Sequence, residues 1–235
     1  MSKELLKKLT SKKNVYFLEG ATEAFEYLMK HLEPKTISLQ QEGGWYKYPK
    51  VAKKLGIQIN YLKTQKGKIN PKEIQEIACI NLMPGYAYHE DVDSIEKHAK
   101  QNNATLISDV TASIGTLKVK GDYIIGSFGP NKPLTIKGGG GFIATNQKLQ
   151  IREENLDPKL IETAINNLTK KLAHWQKIKT EIEKQIPTLN KGEGINVFIE
   201  KETYIKQLKE NFDIVKGPVY NRSLKPIISI EIKRK

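Results

Sequence analysis

The chain has 235 residues, and its 39 lysines and arginines against 26 aspartates and glutamates give a formal net charge of +13. This length accommodates one large domain, or a large domain with a smaller one, and either can bury a substantial core. The single cysteine, Cys79, excludes an internal disulfide, and no apolar stretch is long enough to cross a bilayer. We therefore expect a cytoplasmic protein without membrane segments.

The positive charge raises nucleic acid or acidic ligands as partners. The lysines, however, are spread over every predicted helix instead of being gathered with aromatic residues on one surface. Only three arginines are present: Arg152, Arg222 and Arg234. This distribution is more typical of a lysine-rich solvated surface than of a dedicated nucleic-acid site. A basic nucleic-acid-binding module is an alternative that charge alone supports.

Short apolar runs and amphipathic stretches alternate from residue 14 to residue 146. The apolar runs predict strands at 14–18, 36–39, 57–62, 78–83, 104–109, 122–128 and 141–145. Between them, helical spacing predicts a helix that buries Phe25, Leu28, Met29 and Leu32, a helix ending at Gly56, a short helix opened by Pro71 and a helix over 91–102. This alternation predicts an α/β fold with a mostly parallel sheet sandwiched by helices.

The pattern changes after Asp157 and Pro158. Apolar residues recur at intervals of three and four from Ile161 to Ile186, which predicts one long helix ended by Pro187. A strand at 195–200, a helix at 202–212 and a strand at 226–232 follow. We therefore expect a large domain over residues 1–150 and a small C-terminal α+β domain over residues 151–235, which the long helix bridges to the first.

Ligands of parallel sheets bind beyond the carboxyl ends of the strands, so the residues that follow each strand are candidates for function. After the first strand, Gly20, Ala21 and Thr22 open a helix. Their amides and the Thr22 hydroxyl could hold a phosphate group at the helix N-terminus. The same residues equally fit an ordinary helix start with an acidic first turn.

Two further candidates follow the next strands. Trp45 stands at the start of a helix in "QQEGGWYKYPK", where its ring could cover the face of a planar ligand or pack between helices. Asp109 ends the apolar strand "ATLIS", and a half-buried carboxylate there needs a cationic or N–H partner. Capping of a following helix is the competing explanation for Asp109.

The segment "GSFGPNKPLTIKGGGGFIATN" places Ser127 and Lys132 in one loop. A lysine in a constrained turn can be desolvated, which favours the neutral amine that acts as a nucleophile. A surface loop is the alternative. Together with the earlier candidates, this loop matches the needs of pyridoxal phosphate: an anion seat, an aromatic lid, a carboxylate for the ring nitrogen and a lysine for the Schiff base. No metal site is predicted.

The stretch "SFGPNKPLTIKGGGGFIATN" resembles the lysine segment of the DegT/DnrJ/EryC1/StrS sugar aminotransferases, which are fold type I pyridoxal-phosphate enzymes. The resemblance extends over about residues 14–150 and includes "ISDVTASIG" and "DVDSI". It implies that Lys132 is the Schiff-base lysine, Asp109 the partner of the ring nitrogen and Trp45 the stacking aromatic. Ser127, Ala21 and Thr22 would hold the phosphate. It also implies a homodimer that acts on a small-molecule amino donor and a keto or aldehyde acceptor.

The sequence departs from this family at three points. Ala112 replaces the glutamine that follows the aspartate, Gly138–Gly141 replace a Gly-Glu-Gly turn, and the chain is shorter than a usual member. A degenerate cofactor-binding relative without transaminase activity is therefore an alternative. A cysteine-desulfurase-like enzyme is another, although Cys79 lies in a predicted buried strand. Arg222, in "YNRSLKP", could bind a substrate carboxylate or phosphate, or could simply lie on the surface.

Overall fold

The computed structural model describes residues 2–65, 67–82, 89–116, 118–192, 194–216 and 227–234. The first elements are α1 (Ser2–Thr10), β1 (Asn14–Leu18), α2 (Ala21–Leu32), β2 (Thr36–Gln40), α3 (Tyr48–Lys54) and β3 (Gln58–Leu62). A short hairpin of β4 (Thr64–Gln65) and β5 (Lys68–Ile69) and a 3₁₀ turn at Pro71–Glu73 follow. Next come β6 (Ile77–Asn81), α4 (Val92–Gln101), β7 (Thr105–Asp109), β8 (Tyr123–Ser127) and β9 (Gly141–Thr145).

Seven of these strands form one sheet in the order β1-β9-β8-β7-β6-β2-β3. The neighbours from β8 to β3 pair in parallel, whereas β9 runs antiparallel to both β1 and β8. The predicted mostly parallel sheet is confirmed. The alternation of strand and helix is not strict, because the described part of the β7–β8 connection contains turns and irregular segments but no helix.

Helices cover both faces of the sheet, because successive apolar side chains of the central strands point to opposite faces. On β7, Leu106 joins the core cluster that includes Ile95 of α4, whereas Ile107 joins the cluster that includes Phe25 of α2. Strands buried on both faces contain consecutive apolar residues, which explains "LI" in β7 and "YII" in β8. The carboxyl ends of the parallel strands therefore lie at one edge, between the two helical layers.

The C-terminal part contains α5 (Pro158–Asn166), α6 (Leu168–Gln185), β10 (Val197–Ile199), α7 (Ile205–Leu208), β11 (Ile214–Lys216) and β12 (Ile228–Ile230). Its 3₁₀ turns lie at Glu202–Tyr204 and Ile232–Arg234. The strands form an antiparallel sheet in the order β10-β12-β11, which packs on Trp175 and Ile182 of α6. The division into domains near residues 150–158 stays a prediction. In the described residues, no helix has both the length and the apolarity needed to span a membrane.

The prediction of one long helix was wrong, because α5 and α6 are separate helices that meet at Asn167. Asn167 has φ −87° and ψ −6°, and it both ends α5 and begins α6. Hydrogen bonds from Asn167 N to Thr163 O (3.1 Å) and from Lys171 N to Asn167 O (2.9 Å) continue across the junction. The interruption is therefore one residue long, as the low helix propensity of asparagine favours. The predicted helix at 202–212 is likewise shorter, and α7 forms a single turn.

Candidate active site

The N-terminus of α2 lies against the first residue of β9. Gly20 precedes the helix, and no side chain among the described residues caps it. Gly141 is the register partner of Leu18, and a Cβ atom on Gly141 would lie only 2.7 Å from the Ala21 nitrogen. Only glycine permits this approach, so the last residue of the four-glycine run packs directly on the helix start. The first-turn amides of this 12-residue helix consequently lie at the carboxyl edge of the sheet.

Trp45 contacts this helix start. Its indole Nε1 donates a hydrogen bond to Thr22 Oγ1 at 3.0 Å, and part of its ring packs against the core cluster beneath α2. Because the Thr22 hydroxyl accepts from the indole, its own proton can be donated to an anion. The Lys132 ammonium nitrogen lies 6.0 Å from the centroid of the Trp45 ring. Trp45 therefore lies between the predicted anion seat and the predicted reactive lysine.

Asp109 is 3% exposed and accepts two hydrogen bonds from different donors. Tyr48 Oη donates to Oδ2 at 2.8 Å, and the Thr111 backbone nitrogen donates to Oδ1 at 2.9 Å. No helix follows Asp109 in the described residues up to 116, so helix capping does not explain it. Instead, the bond to Thr111 forms an Asx turn.

Tyr48 is the donor that the sequence analysis missed. Its ring is buried and stacks on Phe25 with centroids 4.3 Å apart. Burial, and then the charge of Asp109, raises the pKa of the Tyr48 phenol well above its ordinary value, so the hydroxyl stays protonated and donates. Its backbone nitrogen donates to Trp45 O at 3.1 Å. The turn from Trp45 to Tyr48 thus links Trp45 to Asp109 through the Tyr48 hydroxyl.

Backbone geometry and hydrogen bonds constrain the loop that carries Lys132. Asn131 adopts the left-handed conformation (φ 59°), which asparagine tolerates better than most residues, and Pro133 follows the lysine. Lys132 N donates to Thr135 Oγ1 at 2.9 Å. From α6, Lys171 Nζ donates to Lys132 O at 2.7 Å and to Pro133 O at 3.4 Å. Burial lowers the pKa of Lys171. The backbone on both sides of Lys132 is therefore fixed.

Ser127 lies beside the same helix start. It is the register partner of Gly141, which packs on Gly20 and Ala21. Its hydroxyl oxygen accepts from Gly129 N at 3.0 Å, so the hydroxyl proton can be donated to a ligand. Arg222 lies outside the described residues. Ala112 packs against the C-terminal core cluster around Trp175.

A second feature that the sequence analysis missed is a buried polar network beside Asp109. Gln40 Nε2 donates to Glu90 Oε1 at 2.9 Å, and Gln40 Oε1 accepts from Asn81 N, the register partner of Asp109, at 2.8 Å. Ile69 N also donates to Glu90, at 3.1 Å. Burial raises the pKa of Glu90 to about 7. Gln40, a polar residue at the end of an apolar strand, is the sequence feature that could have indicated this network. The described residues contain no cluster that could hold a metal ion.

Comparison with known proteins gives structural matches only. No family model and no curated protein sequence matches the chain. Among solved structures, a DegT DnrJ EryC1 StrS aminotransferase from Brucella abortus is similar, with a TM-score of 0.75 and 14% identity over 98% of this chain and 83% of that chain.

Two other solved structures are similar to a comparable degree. The apo cysteine desulfurase from Thermococcus onnurineus NA1 has a TM-score of 0.71 and 11% identity over 99% of this chain and 80% of that chain. The E. coli GDP-4-keto-6-deoxy-D-mannose-3-dehydratase, solved with bound hydrated PLP, has a TM-score of 0.73 and 11% identity. The match covers 97% of this chain and 86% of that chain. At these identities the likeness shows the fold, which is that of the fold type I pyridoxal-phosphate enzymes, as predicted.

Proposed function

We propose that this chain is a pyridoxal-phosphate-dependent enzyme in which Lys132 binds the aldehyde carbon of the cofactor. The observation that carries this proposal is the position of the Lys132 amine, 6.0 Å from the centroid of Trp45, whose indole nitrogen donates to Thr22 at the start of α2. A reactive amine, an aromatic surface and an anion seat therefore follow one another at the carboxyl edge of a parallel sheet, where ligands of such sheets bind.

The residues at this edge fit the cofactor group by group. The uncapped start of α2, with Gly20, Ala21, Thr22 and Ser127, suits the phosphate. Gly141 lacks a Cβ atom, which lets this helix start pack directly against β9. Trp45 suits the face of the ring, and the buried Asp109 carboxylate suits its protonated nitrogen.

Each residue then has a definable task. Bound pyridoxal phosphate supplies a ring that withdraws electrons from the substrate carbon. Asp109 holds a proton on the ring nitrogen, and Trp45 excludes water from one face. With the cofactor bound, Lys132 Nζ would take a proton from the substrate carbon and return it, as general base and acid.

The reaction we propose is transfer of an amino group from a small-molecule donor to a keto or aldehyde acceptor, with a sugar among the possible acceptors. The resemblance of the Lys132 segment to sugar aminotransferases supports it, and so does the fold. In this proposal, Arg222 binds a carboxylate or phosphate of the substrate, and the active unit is a homodimer.

A cofactor-binding protein without transaminase activity is the second candidate. Ala112 favours it, because this residue carries no polar group and packs against the C-terminal cluster. A cysteine-desulfurase activity is disfavoured, because Cys79 is 3% exposed within β6 and a substrate cannot reach its thiol there.

Borohydride reduction in the presence of pyridoxal phosphate, followed by peptide mass analysis, tests the first step. We expect the label on Lys132, its loss in Lys132→Ala and its retention in Lys137→Ala, which removes an exposed lysine of the same loop. Label retained in Lys132→Ala would exclude the proposal. Conversion of the bound cofactor to its amine form by donor amino acids, followed by absorbance, separates a transaminase from a protein that only binds.

A further inference from the structure

The turn after β7 contains a buried hydroxyl that the fold leaves unused. Thr111 Oγ1 is inaccessible to solvent and has no hydrogen-bond partner among the described residues. The backbone nitrogen of the same residue donates to Asp109 Oδ1 at 2.9 Å. Buried hydroxyls are nearly always paired, because an unpaired one loses its bonds to water without replacing them. The unpaired hydroxyl next to Asp109 is therefore available to a partner that comes from a ligand.

A second unpaired hydroxyl in the same turn is a less suitable ligand contact. Ser113 Oγ is also buried and unpaired in this part of the structure. Ser113, however, is 0% exposed as a whole residue, whereas Thr111 retains partial exposure at the edge of the sheet. Of the two residues, Thr111 is therefore the one closer to the surface and to a ligand at Asp109, while Ser113 is enclosed by the protein.

The chemistry of the cofactor indicates which atom Thr111 meets. Pyridoxal phosphate has four polar positions: the phosphate, the ring nitrogen, the aldehyde and the ring hydroxyl. Under the proposed function, the start of α2, Asp109 and Lys132 serve the first three. The ring hydroxyl has no partner among them, and Ala112 offers only a methyl group, which packs against the C-terminal cluster.

On the basis of the proposed function, we infer that Thr111 is a cofactor-binding residue whose hydroxyl donates a hydrogen bond to the ring hydroxyl oxygen of pyridoxal phosphate. The Asx turn serves both contacts. It fixes Asp109 through the Thr111 backbone nitrogen, and the Thr111 side chain belongs to the same turn.

If the Thr111 hydroxyl binds the cofactor, one substitution, Thr111→Val, should affect the stability of the protein and its affinity for pyridoxal phosphate differently. Thr111→Val keeps the shape of the side chain and removes the hydroxyl. Because that hydroxyl is unpaired in the cofactor-free protein, the thermal midpoint of the cofactor-free variant should equal or exceed that of the wild type. The dissociation constant for pyridoxal phosphate should rise about tenfold, as for the loss of one good hydrogen bond. Thr111→Ser should keep the affinity within about twofold.

Thr116→Val is the matched control, because the Thr116 hydroxyl in the same turn is paired with Ser113 O at 2.7 Å. It should lower the thermal midpoint and leave the dissociation constant unchanged. Equilibrium dialysis of pyridoxal phosphate and thermal unfolding of the cofactor-free proteins give both quantities.

A lowered midpoint for Thr111→Val would mean that the hydroxyl is paired within the fold, and an unchanged dissociation constant would mean that it does not meet the cofactor. Either result overturns the inference while labelling of Lys132 in the wild type keeps the proposed function. A wild type that neither binds the cofactor nor labels at Lys132 overturns both.

Discussion

Tyr48 Oη donates a hydrogen bond of 2.8 Å to Asp109 Oδ2, and both side chains are buried. The two residues are 61 positions apart and come from different elements, α3 and the end of β7. The contact holds the carboxylate in one orientation together with the bond from Thr111. Tyr48 is accordingly a positioning residue for Asp109 under the proposed function.

Tyr48→Phe should lower the free energy of unfolding by about 1.5–3 kcal/mol, because it removes a buried hydrogen bond to a charged group. Denaturant unfolding of the cofactor-free protein measures this change. Tyr123→Phe is the matched control, since Tyr123 is buried in the same cluster and donates to the neutral Gln147 Oε1 at 2.7 Å. We expect a loss of about 1 kcal/mol there. Equal losses in both variants would contradict a charge-assisted bond to Asp109.

Glu90 should make stability fall as pH rises from about 4.5 to about 7, the interval between its ordinary pKa and the raised pKa of the folded protein. In that interval the unfolded chain ionises at Glu90 while the folded protein keeps the proton. The contribution of Glu90 is therefore fully present below about pH 4.5 and is lost as pH rises through the folded pKa.

Glu90→Gln tests this dependence, because glutamine cannot ionise. Relative to the wild type, the variant should gain about 3 kcal/mol in the free energy of unfolding between pH 4.5 and pH 7. Denaturant titrations at a series of pH values measure the difference. A difference that does not change with pH would show that Glu90 titrates alike in both states.

Gly141→Ala should displace the start of α2, because the added Cβ atom would lie 2.7 Å from the Ala21 nitrogen. We expect a loss of about 1–3 kcal/mol in the free energy of unfolding, together with weaker binding of pyridoxal phosphate. Gly138→Ala is the control: it has a positive φ of 91° and no atom within 4 Å of the added carbon. It should show backbone strain of about 1 kcal/mol without a loss of affinity. Equal affinities in the two variants would argue against a phosphate seat at this helix start.

Lys171→Met should slow borohydride labelling of Lys132, because the carbonyls of Lys132 and Pro133 lose the donor that fixes them. Loss of the donor to these partly buried carbonyls would also lower the stability by about 1 kcal/mol. Lys170→Met, which changes an exposed lysine of the same helix, should leave both the labelling rate and the stability unchanged. Mass analysis of peptides sampled over time gives the rates. Unaltered labelling in Lys171→Met would mean that the loop holds its shape without this contact.

Much of the sheet follows from local patterns. The runs "NVYFL" and "GFIAT" predict β1 and β9 at the bounds that the structure gives. Burial of every residue of β9 explains its apolar run "FIA", whereas Asn14 and Tyr16 of the edge strand β1 are partly exposed. The positions of Gly20, Trp45, Asp109, Ser127 and Lys132 at strand ends follow from the same pattern. Their roles stay predictions.

The contacts that support the site could not be predicted in this way. The Gln40–Glu90 bond joins residues 50 positions apart, and no periodicity encodes such a pairing. The Tyr48–Asp109 bond has the same origin. The break at Asn167 was missed because an apolar repeat registers which side chains are buried and not whether the backbone stays regular for every residue.

The hydrogen bond from Phe128 N to Gly140 O (2.8 Å) closes the base of the Lys132 loop. Since both ends of the loop belong to adjacent, paired strands, Lys132 is held in a hairpin that is part of the sheet. Lys171 of α6 donates hydrogen bonds to the carbonyls of Lys132 and Pro133 in this hairpin. A shift of α6 relative to the sheet would therefore act directly on the backbone of Lys132.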